Sequence, residues 1–199
     1  MAASYRNATS LKYLAPIGVA LALLCTAALA QIRVVDDSGQ TLLLGAPAQR
    51  IISLAPHITE TLYAAGAGER IVATVKYADY PEAAKKIPRV GDSAALDMER
   101  IVSLKPDLIV VWLHGNAQKQ LDKLRTLGIP IFYSEPRKLT DIADSLIRLG
   151  KLAGTEAQAR KAALDYSARV DILRETAGYT FFPNLEKAAA YYQRRAVNQ

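Results

Sequence analysis

Residues 97–112 read DMERIVSLKPDLIVVW, and this stretch decides the fold. Asp97 is a good helix N-cap, Met98 to Leu104 carries a short helical pattern, and Pro106 closes it. Asp107 to Trp112 then runs apolar without alternation, as strands do when both sheet faces are covered. A capped helix feeding a buried strand is half of a β-α-β unit, and the same order recurs on either side. Upstream, Arg50 to Leu54 is a short apolar strand ended by Pro56. Ile58, Leu62, Tyr63 and Ala65 follow at helical spacing, with Gly66 at C′. Ile71 to Val75 is another strand. Downstream, Asn116 is placed to cap a helix over 117–127 that Gly128 stops. Ile129 to Tyr133 is a strand, and Leu139 to Leu152 a helix followed by Gly154. At 32–44, apolar residues flank Asp36-Asp37-Ser38-Gly39-Gln40, the pattern of a hairpin.

The expected fold class is therefore α/β: one Rossmann-like parallel-sheet lobe with flanking helices plus an N-terminal hairpin, followed by a long helix. Ligands of such sheets sit at the carboxyl ends of the strands. That places Ala55-Pro56-His57, Lys76-Tyr77 and Trp112-Leu113-His114 on one rim. Thr155 and Gln158 have the spacing of a capping box and open a helix running to about Thr176. At about 20 residues, or roughly 30 Å, it suits a strut toward a second domain. After Gly178 the texture changes, and too little chain remains for another β-α-β run.

The N-terminus reads as an export signal. Arg6 and Lys12 precede an apolar run from Leu14 to Ala27, too short to span a bilayer comfortably. Ala28-Leu29-Ala30 supplies the small-x-small pattern of a cleavage site, so the expected divisions are a signal peptide at 1–30, a ligand-binding lobe at 31–154, a linker helix at 155–177 and an atypical tail at 178–199. An uncleaved anchor is the alternative. The single Cys, Cys25, follows Leu24 inside the apolar run, where a lipobox needs a small residue. The formal net charge of +6 falls to 6 − 2 = +4 without Arg6 and Lys12. The remaining basic residues are interleaved with acids, with no stripe for nucleic acid. No Gly-x-Ser-x-Gly elbow, His-Glu-x-x-His helix or phosphate loop appears, so no catalytic residue and no metal site is assigned.

The segment from Arg50 to Glu60 resembles the first strand and helix of the cluster-III periplasmic substrate-binding proteins, which serve ABC importers of vitamin B12, haem and ferric siderophores. The likeness continues through Tyr77-Ala78-Asp79-Tyr80-Pro81, Val90-Gly91-Asp92, the run Met98 to Ile109, Gly115-Asn116 and the long helix. It covers roughly residues 48 to 177. Tyr-x-Asp-Tyr-Pro and Trp-x-x-Gly-Asn are most similar to the vitamin B12 branch. The resemblance implies a two-lobed periplasmic monomer that captures cobalamin and delivers it to an inner-membrane permease. It implies that Tyr77 and Trp112 press on the ligand and that Glu99 docks on the permease. Aromatic faces suit a flat macrocycle, adding about 0.5–1.5 kcal/mol each beyond area burial. His57 and His114 on the rim are further ligand candidates, able to face a metal centre or to hydrogen-bond. Ser93 stands where that branch carries another Trp, so one aromatic wall is missing. Haem and ferric siderophores therefore stay open as ligands, and the apparent lack of a second lobe leaves a truncated, non-binding relative open as well. A hydrolase using Ser53 is the reading from another class.

Overall fold

Asp36 organises the first element. Its Oδ1 accepts from Ser38 N and Gln40 N, both at 2.9 Å, and Gly39 takes φ 81°. This turn joins β1 (Ile32–Val35) to β2 (Thr41–Leu44) as an antiparallel pair with Ile32 opposite Leu44. The computed structural model describes residues 31–116 and 118–176. The chain divides after Ala30 into two units, and the described residues belong to the second. The expected signal peptide (1–30) and tail (178–199) lie outside the described residues, as does the last residue of the expected linker helix.

Four strands form the main sheet: β3 (Ile51–Ser53), β4 (Ile71–Ala73), β5 (Leu108–Trp112) and β6 (Ile131–Ser134). Their order is β4-β3-β5-β6, and every neighbouring pair is parallel. The unbroken apolar run of β5 has a direct cause. Leu108 and Val110 point into one buried cluster, and Ile109 and Val111 into the other. Successive side chains alternate between faces, and here both faces are covered.

The first face packs against the hairpin, α1 (Pro56–Ala64) and α4 (Leu139–Ala153), through Val34, Leu44, Ile58, Leu62 and Leu149. The second packs against α2 (Met98–Ser103) and α3 (Gln118–Arg125), through Ile101, Leu121 and Leu124. Pro56 both ends the strand segment and occupies the first turn of α1, where a missing N–H does no harm. Gly66 takes φ 83° just past that helix. Asp97 caps α2 as expected, accepting from Arg100 N at 2.9 Å.

The final helix, α5 (Glu156–Thr176), has 21 residues. Its first turns bury Ala159 and Ala163 beside Ala65 and Leu146. A Cβ on Gly150 would lie 2.1 Å from Ala159 Cβ, so the glycine lets α4 and α5 approach. Farther along, Leu164 and Leu173 are exposed.

Two expected caps are corrected. Asn116 Oδ1 accepts from Trp112 N rather than serving the helix that follows. The Thr155–Gln158 box does not form among the described residues. Thr155 donates back to Gly150 O, and the Gln158 side chain lies against Gly66. In both places the side chain turns back to the preceding element's end instead of forward to the helix. Among the described residues, no helix is long and apolar enough to cross a membrane.

Candidate ligand-binding site

After β3 the chain moves outward to β4, then crosses back to place β5 on the other side of β3. Such a reversal leaves a crevice outside the carboxyl ends of the two central strands. His57 enters it from the first turn of α1, and Trp112 is the last residue of β5. Their ring centroids are 5.3 Å apart at 85°, an edge-to-face pair. Trp112 is the only Trp of the chain and is 39% exposed. His57 Nε2 is buried and has no hydrogen-bond partner among the described residues. Burial holds the His57 pKa below its ordinary value, against an opposing pull from the Glu135 charge. Burial thus favours the neutral imidazole, whose Nε2 is uncommitted among the described residues.

The spacing Trp-x-x-Gly-Asn has a mechanical explanation. Asn116 Oδ1 accepts from Trp112 N at 2.9 Å, while Asn116 Nδ2 donates to Leu54 O at 3.2 Å. One buried amide thus ties the end of β5 to the end of β3. The indole lies across Gly115, where a Cβ would fall 1.8 Å from Trp112 Cε3. Any side chain at 115 would displace the ring.

Tyr77 follows β4 and is 70% exposed. Its φ of 68° is left-handed, a region costing roughly 1–2 kcal/mol for a residue with a Cβ. The flanking backbone holds it there: Lys76 N donates to Gly91 O at 2.8 Å and Ala78 N to Val75 O at 3.3 Å. Lys76 Nζ stands 5.0 Å from the Tyr77 ring centroid. Arg89 braces the next turn, donating to Ala78 O, Ala84 O and Ile87 O. Tyr80, in that turn, is as exposed as Tyr77.

Beneath His57 runs a chain of buried hydroxyls. Ser53 Oγ and Thr59 Oγ1 are 2.8 Å apart, and Thr59 Oγ1 and Thr74 Oγ1 are 2.7 Å apart. Ser53 Oγ and Thr59 Oγ1 each also lie 3.2 Å from Ala55 O, which can accept from whichever hydroxyl does not donate along the chain. These bonds tie β3, α1 and the end of β4 under the rim. Ser53 is fully buried and committed within this chain, which leaves its hydroxyl out of reach as a nucleophile.

The rim thus brings His57 and Trp112 together, with Tyr77 on the neighbouring strand end. His114 is exposed, and its Nδ1 lies 3.4 Å from Glu135 Oε2. Ser93 is exposed in a turn whose Asp92 Oδ1 accepts from Ala94 N and Ala95 N, both at 2.9 Å; these bonds hold the Asp92 pKa down. Gln120 of α3 donates to Ala94 O and fixes that turn. Glu99 is exposed on the first turn of α2 and forms no ion pair among the described residues. Sequence reasoning missed Glu135 and the clamp made by Asn116. Carrying the strand-end rule on to β6 would have pointed to Glu135.

This chain belongs to the periplasmic binding protein family, whose sequence pattern matches residues 51–192. Within the family it is similar to the vitamin B12-binding protein of Vibrio vulnificus, 40% identical over 151 residues covering 76% of this chain and 54% of that protein. The vitamin B12-binding protein of Yersinia pestis is 47% identical over 128 residues, 64% of this chain and 46% of that protein. Among solved structures, the periplasmic vitamin B12 binding protein BtuF of Vibrio cholerae matches with a TM-score of 0.64 at 43% identity, over 67% of this chain and 52% of that one. The periplasmic heme-binding protein RhuT from Roseiflexus sp. RS-1 matches at 0.60 with 28% identity, over 68% of this chain and 52% of that one. The chain spans about half the length of the relatives it matches.

Proposed function

We propose that this chain is the ligand-capturing lobe of the periplasmic substrate-binding component of an ABC importer, and that its ligand is vitamin B12 or a related corrinoid. The observation that carries this reading is the His57–Trp112 pair at the sheet's switch point, held by Gly115 and Asn116. It offers a fixed aromatic wall of the kind a flat, largely apolar macrocycle needs. The names of the most similar relatives support the same ligand. Tyr77 extends the wall, and His114 and Ser93 border it. Glu99, exposed on the first turn of α2, is assigned to permease docking. The protein acts as a monomer without catalysis, exported by a signal peptide cleaved after Ala30.

One wall binds less tightly than two. A two-walled site at about 1 nM corresponds to roughly −12 kcal/mol, and half the contacts leave about −6, or tens of micromolar. Calorimetric titration of the 199-residue chain with cyanocobalamin is expected to give that affinity, and Trp112→Ala to weaken it by over ~1 kcal/mol with an unchanged circular dichroism spectrum. No binding at millimolar ligand, or equal affinity in the variant, would reject the reading. Haem is the second ligand to titrate, because His57 presents an unpartnered buried nitrogen and haem-binding proteins share the fold. Tighter binding of haem than of cobalamin would reassign the site.

A further inference from the structure

Glu135 is the first residue after β6 and closes the rim at that edge of the sheet. Its placement is firm. The backbone N–H donates to Asp37 Oδ2 at 2.6 Å, and Asp37 is paired with Arg148 of α4 at 2.8 Å. Both the hairpin turn and α4 therefore anchor it. The side chain is 16% exposed. Glu135 Oε2 accepts from His114 N at 3.3 Å and lies 3.4 Å from His114 Nδ1. Among the described residues, Oε1 accepts no hydrogen bond. The carboxylate is also within electrostatic reach of His57, the residue paired with Trp112. At the opposite sheet edge, the β4 end carries the cation Lys76.

We propose that Glu135 is a specificity-determining residue of the ligand site, its free oxygen accepting an N–H from a ring that bears carboxamides and disfavouring a ring that bears carboxylates. This rests on the corrinoid reading above and narrows it. The periphery of a corrin carries carboxamides, which need acceptors. The periphery of haem carries two propionates, which a fixed carboxylate repels. A ligand that covers Oε1 without offering a donor leaves a desolvated charge unpaired, so the residue selects against the wrong ring as well as for the right one.

The test compares two corrins that share the ring and differ in their peripheral groups. Dicyanocobinamide carries amides, and dicyanocobyrinic acid carries carboxylates on the same corrin. The full chain is titrated with each by Trp112 fluorescence. The wild type is expected to prefer the amide ring by about tenfold, the effect of one charge-assisted hydrogen bond. Glu135→Gln is expected to remove most of that preference, with looser binding of the amide ring and tighter binding of both the acid and haem. A merely structural role would weaken all three together. A wild type that binds the two rings equally overturns the proposal without any variant, as does a preference unchanged in Glu135→Gln. In either case Trp112→Ala still reports separately on the corrinoid reading. If the wild type binds neither ring, that reading fails and takes the proposal with it.

Discussion

Tyr77 occupies a backbone angle that its own Cβ opposes, and it does so on the rim with its ring in solvent. Glycine at this position would relieve the strain while adding chain entropy of similar size to the unfolded state. Tyr77→Gly is therefore expected to leave the melting temperature unchanged or slightly raised, and to weaken cobalamin binding by about 1 kcal/mol. A marked fall in melting temperature with unchanged affinity would mark Tyr77 as structural. His57 makes a second prediction. Its folded pKa lies below the ordinary value of 6.5, chiefly because of burial. Between the two values the unfolded chain holds a proton that the folded chain does not. Stability is thus highest above pH 6.5 and falls as the pH drops through that window toward the folded value. Melting curves between pH 7.5 and 5 are expected to lose part of this acid-side slope in His57→Gln. An identical slope would show that His57 is not the group responsible.

At the scale of elements, the site depends on two strand ends being held together. Asn116 accepts from Trp112 N and donates to Leu54 O, so it joins β5 to β3 where the crevice opens. Asn116→Ala leaves both backbone groups without this partner, at a cost of about 1–3 kcal/mol. Denaturant melts are expected to show that loss, together with a shifted Trp112 emission. Full stability in the variant would mean that water or another group takes over the clamp. The strands and helices themselves were largely legible, because apolar periodicity and caps such as Asp97 are local. Bonds leaving an element were not. Asn116 stands where a helix cap belongs, yet its amide Nδ2 turns to Leu54 O, a partner 62 residues away that only packing supplies.

For the whole molecule, ligand capture and permease docking are proposed for different residues. The aromatic rim lies at the carboxyl ends of the strands, whereas Glu99 projects from α2. Exposed charge pairs contribute little energy individually but set orientation and association rate. Glu99→Ala is expected to leave the cobalamin Kd unchanged and to slow association with the permease, most visibly at low salt. Loss of ligand affinity would instead place Glu99 in the binding site.

The sequence by itself determined the order of strands and helices, the α/β class, and which residues terminate strands. These follow from periodicities of two and 3.6 and from Pro, Gly and capping side chains, all read within a few residues. The aromatic pair was only partly foreseeable, since His57 and Trp112 could be assigned to one rim but not to contact. Tertiary structure decided that β3 and β5 are neighbours with the crevice between them, that Gly115 makes room for the indole, and that Glu135 stands beside His114 with one oxygen unused among the described residues. Those facts depend on strand order and on contacts between residues far apart in the chain. No local pattern encodes them, because each is settled by which surfaces the folded core brings together.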